Sequence, residues 1–268
     1  LPHLYPPLFT SFKSVVDATL IPDCFILQTE DGAPHPLSLL AAQELQQHLK
    51  KQTDWEHNFG LSNQSNSNIV GKMFGVLVVQ NAQNEVGYLS AFSGKLAGGN
   101  HHPKFVPPVF DLLTQGGFLS IGMQELDMLT KEIKRMEAYE PENIDALKIL
   151  KKNRHQYSNS LQKEIFRSYS FTNQKGLFKN INDIFKQTSY KNPPAGAGEC
   201  AAPKLLQYAF LHQLKPLALA EFWWGQSPKS VNWKHGAFYP CCKEKCEPIL
   251  AHMLEGLYDR TMTDDEHH

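Results

Sequence analysis

Two cysteine-bearing segments dominate the sequence. Gly198-Glu199-Cys200-Ala201-Ala202-Pro203-Lys204 and Phe238-Tyr239-Pro240-Cys241-Cys242-Lys243-Glu244-Lys245-Cys246 flank the apolar run 216–224 and hold four of the chain's five cysteines. Each segment stands where a helix is expected to begin, and a helix N-terminus lowers a thiol's pKa and favours the thiolate that a metal needs. Thiolates from two helix starts beside one strand form the layout of a zinc site, with Cys200, Cys242 and Cys246 as the predicted ligands and Cys241 the less favoured one. A fold that satisfies this spacing must bring both helix starts to the same end of that strand. A buried cysteine can equally serve as a small hydrophobe, so structural zinc, catalytic zinc and no metal all remain open readings.

The surrounding composition limits the partners. The 26 basic and 27 acidic residues nearly cancel, so there is no bulk positive field for nonspecific nucleic-acid binding and any RNA contact must be local. No apolar run is long enough to cross a bilayer, and the first residues, Leu1-Pro2-His3-Leu4-Tyr5-Pro6-Pro7, lack the basic and apolar regions of a signal peptide. A cytoplasmic chain without a membrane partner is expected. An odd number of cysteines bunched near the end fits metal or free thiols better than a disulfide framework.

Along the chain, Leu37, Leu40, Ala41, Leu45 and Leu49 recur at helical spacing after Pro36. The runs 72–79 and 86–92 read as two strands of a hairpin, and 56–69 as an Asn- and Ser-rich loop. From Ile121 to about Gln187 the sequence turns charged and helical, which predicts an inserted helical hairpin or coiled coil able to form a homodimer. Asn192-Pro193-Pro194-Ala195-Gly196 breaks that helix ahead of Cys200. The predicted helix 200–212, strand 216–224 and helix 246–257 follow. The expected division is an α/β domain in two parts, 1–120 and 191–268, interrupted by the insertion 121–190.

The order helix, hairpin, cysteine-led helix, strand, cysteine-led helix resembles the cytidine-deaminase-like fold, which implies a mixed sheet flanked by helices. In that family three side chains hold Zn²⁺, water completes the site, and a glutamate two residues after the first ligand carries protons. Ala202 stands at that glutamate's position, and the second motif spaces its cysteines by three and four residues. Glu199, one helical turn back, is the candidate replacement, and Glu221 at the strand end is the second.

Longer strings carry a narrower resemblance. Gly198 through Ala209, Ala220-Glu221-Phe222-Trp223-Trp224-Gly225, His235-Gly236-Ala237-Phe238-Tyr239-Pro240, Gly87-Tyr88-Leu89-Ser90-Ala91-Phe92-Ser93-Gly94-Lys95 and Pro34-His35-Pro36-Leu37 are similar to the long N-terminal extension of certain bacterial RluA-type pseudouridine synthases. The resemblance implies a parent protein that isomerises uridine in structured RNA, either rRNA or tRNA. The catalytic His-Arg-Leu-Asp motif of that family has no match here, so the sequence is expected to be one piece of a longer protein whose catalytic domain follows. On this reading the chain is an accessory domain that engages RNA or positions the substrate. A zinc-dependent base or nucleotide deaminase-like hydrolase and a helical protein-interaction module are the alternatives. Lys95, Lys204, Trp223 and Trp224 are the candidate RNA or ligand contacts, since aromatic faces stack bases and ammonium groups meet phosphates. His101-His102, and the basic run Lys148, Lys151, Lys152, Arg154, Lys163 and Arg167, read first as solvated surface.

Overall fold

A computed structural model describes residues 8–28, 33–61, 71–114, 116–229 and 232–257. In chain order the elements are β1 (Thr10–Ser11), β2 (Ile26–Leu27), α1 (Pro36–Lys51), β3 (Lys72–Gln80), β4 (Val86–Phe92), α2 (Phe118–Tyr139), α3 (Ile144–Ser168), β5 (Ser170–Thr172), β6 (Phe178–Asn180), α4 (Ile181–Lys186), α5 (Ala201–Leu211), β7 (Lys215–Trp224), β8 (Phe238–Tyr239) and α6 (Glu247–Met253). The predicted loop 56–69 is described only to Leu61, and Tyr258-Asp259-Arg260 lies outside the described residues.

The protein is mixed α/β. Its main sheet runs β1-β4-β3-β7-β2, with β8 also paired to β7. β3 is antiparallel to both β4 and β7, whereas β2 lies parallel to β7. Side chains alternate across a strand, so each face of β3 and β7 feeds a different layer. Phe74, Val76 and Val78 meet Phe222 and Trp224 beneath α1, whose Leu37, Ala41, Leu45 and Leu49 complete that core. Leu77 and Val79 face the opposite layer, where Ala201, Leu205 and Leu206 of α5 pack with Ile249 and Met253 of α6.

Local sequence explains the two helix faces. The His35 ring nitrogen accepts from the Leu37 amide at 3.3 Å and Pro36 occupies the first turn, so α1 begins where the sequence changes from extended to helical character. α5 sits directly on β3 because Gly75 has no side chain. A Cβ at Gly75 would lie 2.9 Å from the Ala201 Cβ and 3.0 Å from Leu205 Cδ1. That contact draws the start of α5, and with it Cys200, down onto the strand pair.

The helical hairpin is shorter than the predicted 121–190 insertion. Helices α2 and α3 pack chiefly on one another, and the Leu161 side chain fills the space that a Cβ at Gly122 would take. Chain beyond Tyr169 returns to the core: Phe171, Ile181, Ile184 and Phe185 are all buried in the α5/α6 layer. Their apolar spacing outweighs the charged residues around them, which is why composition alone placed the boundary too late.

Candidate metal centre

Three thiols converge at the end of β7. The Sγ atoms of Cys200, Cys242 and Cys246 lie within 4.8 Å of one another, and those of Cys242 and Cys246 are 3.3 Å apart. Cys200 is the N-cap of α5 and Cys246 the N-cap of α6, so two helix N-termini direct their partial positive charge at the cluster. Cys242 precedes α6 by one turn, and its carbonyl accepts from the amides of Cys246 and Glu247 at 3.1 and 3.2 Å. That turn holds Cys242 over Cys246.

The donor set suits a tetrahedral cation. Zn–S bonds of about 2.3 Å at tetrahedral angles put ligand sulfurs about 3.8 Å apart, inside the range these thiols span. The protonation balance points the same way. Hydrogen bonds from Cys200 and Cys246 hold the Cys242 thiol far below its ordinary range, while the bond to Cys242 pushes Cys200 up, and the bond with Cys200, then that with Cys242, pushes Cys246 up. Only one thiolate is comfortable in the cluster alone, and a dication would neutralise the further negative charge.

Cys241 is not one of the three converging thiols and pairs with Glu221 beside them. Burial first, and then the neighbouring Glu221 carboxyl, raise its thiol well above the usual range. Glu221 is 4% exposed, and its Oε1 accepts from the Ala202 amide at 3.1 Å. Burial raises its carboxyl to about 7, against the partly opposing hydrogen bonds from Cys241 and Ala202.

A cavity of about 570 Å³ opens beside the thiols. Cys200, Cys242, Cys246 and Glu221 line it together with Trp223, Trp233 and Tyr239, and Lys72, Lys243 and Lys245 add ammonium groups. The aromatic wall is continuous: the Trp223 and Trp233 ring centres are 4.4 Å apart, and those of Trp233 and Tyr239 are 5.9 Å apart.

The other sequence-predicted residues take different positions. Glu199 lines a second cavity rather than this one, and its Oε2 lies 3.7 Å from the Lys204 ammonium. Lys204 is 3% exposed and donates to the Phe92 and Gly94 carbonyls, so its charge is used inside the protein and does not reach an external RNA. Trp224 belongs to the α1 layer, where it packs on His235 and under the Lys50 ammonium. Lys95 lines neither of these cavities. Trp233 and Lys72 carried no sequence signal. Glu221 and Trp223 did: they are two residues apart on a strand and therefore share a face.

Glu221 makes the site pH-dependent in a defined direction. Its folded pKa of about 7 exceeds the unfolded value of 4.5, so the folded state binds the extra proton and stability falls as pH rises through that window. The full loss, about 3 kcal/mol, is reached above pH 7. Glu221→Gln keeps an oxygen for the Ala202 amide and carries no charge. In chelator-treated protein the variant is expected to be the more stable one above pH 7, with the advantage shrinking towards pH 4.5, as denaturant titrations at both ends would register.

Comparison of the sequence with protein-family models and with curated proteins, and of the fold with solved structures, returns no match.

Proposed function

We propose that this chain is a zinc-binding, RNA-engaging domain that positions substrate for an RluA-type pseudouridine synthase. The observation that carries the reading is the cavity over the thiol cluster, where Trp223, Trp233 and Tyr239 stand beside Lys72, Lys243 and Lys245. Aromatic faces stack an unpaired base without regard to its identity, and lysines pair with the phosphates on either side. Zinc held by Cys200, Cys242 and Cys246 would fix the two helix starts and the turn that form the cavity floor. The family enters the proposal only through the resemblance of several strings to RluA-type extensions, and the near-zero net charge fits a local RNA contact rather than a bulk positive field.

Binding of a labelled single-stranded oligouridylate, followed by tryptophan fluorescence across a salt series, tests the proposal. Trp233→Ala should weaken binding by about 1–3 kcal/mol, the cost of one lost stacking partner. The double change Lys243→Ala with Lys245→Ala should lower the salt dependence by about two counterions. No saturable binding at low salt, or binding unchanged in both variants, would sink the RNA reading.

One observation favours a second reading, a zinc-dependent hydrolase acting on a base. Glu221 places a buried carboxyl in the thiol cavity, and three protein ligands facing a cavity match the arrangement of catalytic zinc. Ammonia release from cytidine or an RNA-embedded base by the wild type, lost in Glu221→Gln, would establish it. Under the first reading the chain by itself converts neither cytidine to uridine nor uridine to pseudouridine.

A further inference from the structure

Helix α3 carries a charge imbalance that the rest of the chain does not share. Its 25 residues hold six lysines and arginines against Asp145 and Glu164, a net charge of +4 on a chain whose total is −1. Between those two acids lie Lys148, Lys151, Lys152, Arg154 and Lys163, and no acidic residue. Neighbouring α2 interleaves its charges in the ordinary way, with Asp127 paired to Lys131 at 2.7 Å and Glu132 to Arg135 at 2.8 Å along its own surface.

Position on the helix sorts the cations of α3. Arg154 donates to the Thr130 hydroxyl at 2.8 Å and Lys151 pairs with Glu137 at 2.7 Å, so α2 engages both. Lys148, Lys152, His155, Asn159 and Lys163 instead recur every three or four residues, which at about 100° per residue confines them to one stripe about 80° wide. All five are exposed. From Lys148 to Lys163 the stripe runs about 22 Å at 1.5 Å per residue. Its three lysines form no ion pair among the described residues, and His155 and Asn159, 3.1 Å apart, hydrogen-bond to each other. Lys148 and Lys152 are like charges one turn apart, an arrangement that costs helix stability rather than adding to it.

A row of unpaired ammonium groups along a rigid rod complements a polyanion whose own charges stand in a row. Duplex RNA is such a partner, since its shape and phosphates are recognised without side chains that read base edges. An anionic membrane fits less well, because an interfacial helix sinks a free apolar face into the lipid. The apolar side of α3 is already used: Leu161 fills the space at Gly122, and Phe166 is buried in the core.

We propose that the stripe of Lys148, Lys152 and Lys163 on α3 is a docking surface for the phosphate backbone of double-stranded RNA, such as the stem of a folded RNA. The choice of RNA as the polyanion rests on the RNA-engaging reading of the thiol cavity, whereas the stripe itself lies on a different element and lines no part of that cavity.

The probe is a labelled RNA duplex of about 20 base pairs, long enough to cover the stripe, followed by fluorescence anisotropy on the full chain across a salt series. Lys152→Gln with Lys163→Gln should weaken binding about tenfold at about 100 mM salt and lower the slope of log K against log salt by about two. Lys131→Gln with Lys134→Gln removes the same charge from exposed positions of α2 and should change neither quantity. On the unmutated protein, the duplex should shield Lys148, Lys152 and Lys163 from acylation by an N-hydroxysuccinimide ester while Lys131 and Lys134 stay reactive, a readout that does not depend on how any variant folds. The proposal is overturned by an absence of saturable duplex binding at low salt, by equal losses in the two double variants, or by equal shielding of both helices. Binding to vesicles with about 30% phosphatidylserine but not to the duplex would also overturn it and assign the stripe to a membrane surface. Trp233→Ala should leave duplex binding intact. Loss of oligouridylate binding with duplex binding retained therefore removes the cavity reading alone, and the reverse result removes the stripe alone.

Discussion

Protein carrying Cys246→Ser is expected to retain less than about a tenth of an equivalent of zinc after purification, against one equivalent for the wild type. Cys246 is 1% exposed, caps α6 and lies 3.3 Å from Cys242, so no solvent ligand can take its place without opening the helix start. A serine hydroxyl does not ionise in the accessible pH range, and losing one of three thiolates should weaken zinc by at least about a hundredfold. Cys241→Ser and Cys24→Ser are the controls. Cys241 faces Glu221 and Cys24 is exposed outside the cluster, so both variants should keep their metal. Metal analysis and chelator competition on the four proteins decide the matter. A wild type without zinc after purification in its presence, or a Cys246→Ser protein that holds a full equivalent, would remove the metal from the account.

Gly75→Val should be nearly as damaging, through packing rather than chemistry. Its Cβ alone would come within 2.9 Å of the Ala201 Cβ, and the Glu221 side chain is 3.6 Å away on the third side. Leu205 Cδ1 ends a flexible side chain and can yield, but the Ala201 Cβ is bonded to its own backbone, so relief there requires the start of α5 to lift off β3. Overpacking of this kind costs about 1–3 kcal/mol for smaller intrusions, and two further methyl groups should take the loss above about 3 kcal/mol. Because Cys200 rides at the start of α5, zinc affinity should fall with stability. A denaturation midpoint within error of the wild type, with zinc retained, would mean that α5 is not seated by this glycine.

Both predictions depend on a division of labour between the two faces of β7. Glu221 and Trp223 point to the thiol side, and Phe222 and Trp224 pack in the α1 core. Period-two alternation made that division legible from sequence once Ala220 to Trp224 was read as a strand. Pairing Trp223 with Trp224 as two candidate contacts overlooked it. The same alternation separates Phe238, which packs toward the α1 layer, from Tyr239, which lines the thiol cavity.

The hairpin shows where local pattern stops informing. Helices α2 and α3 were evident from their charged, helix-favouring composition. Their end was not, because Phe171, Ile181, Ile184 and Phe185 become core residues only when α5 and α6 are present to receive them. Glu199 and Lys204 illustrate the converse. Helical spacing put Glu199 within reach of the Ala202 position, but Gly198, at φ +92°, turns the chain just before it, and the Lys204 ammonium draws its carboxylate to the other side.

The sequence by itself determined α1, the β3–β4 hairpin, β7 and the convergence of three thiols. Hydrophobic period sets α1, the β3–β4 hairpin and β7, and two cysteine-led helix starts beside one strand can meet only if both face its end. Which carboxylate joined the thiols was decided by tertiary structure, since Glu199 and Glu221 are both near Cys200 and only the seating of α5 on Gly75 sets Glu221 against the Ala202 amide. Trp233 and Lys72 entered the cavity by the same route. Their neighbours there are remote in sequence, and no local periodicity encodes a contact made only when separate strands and loops close around the same space.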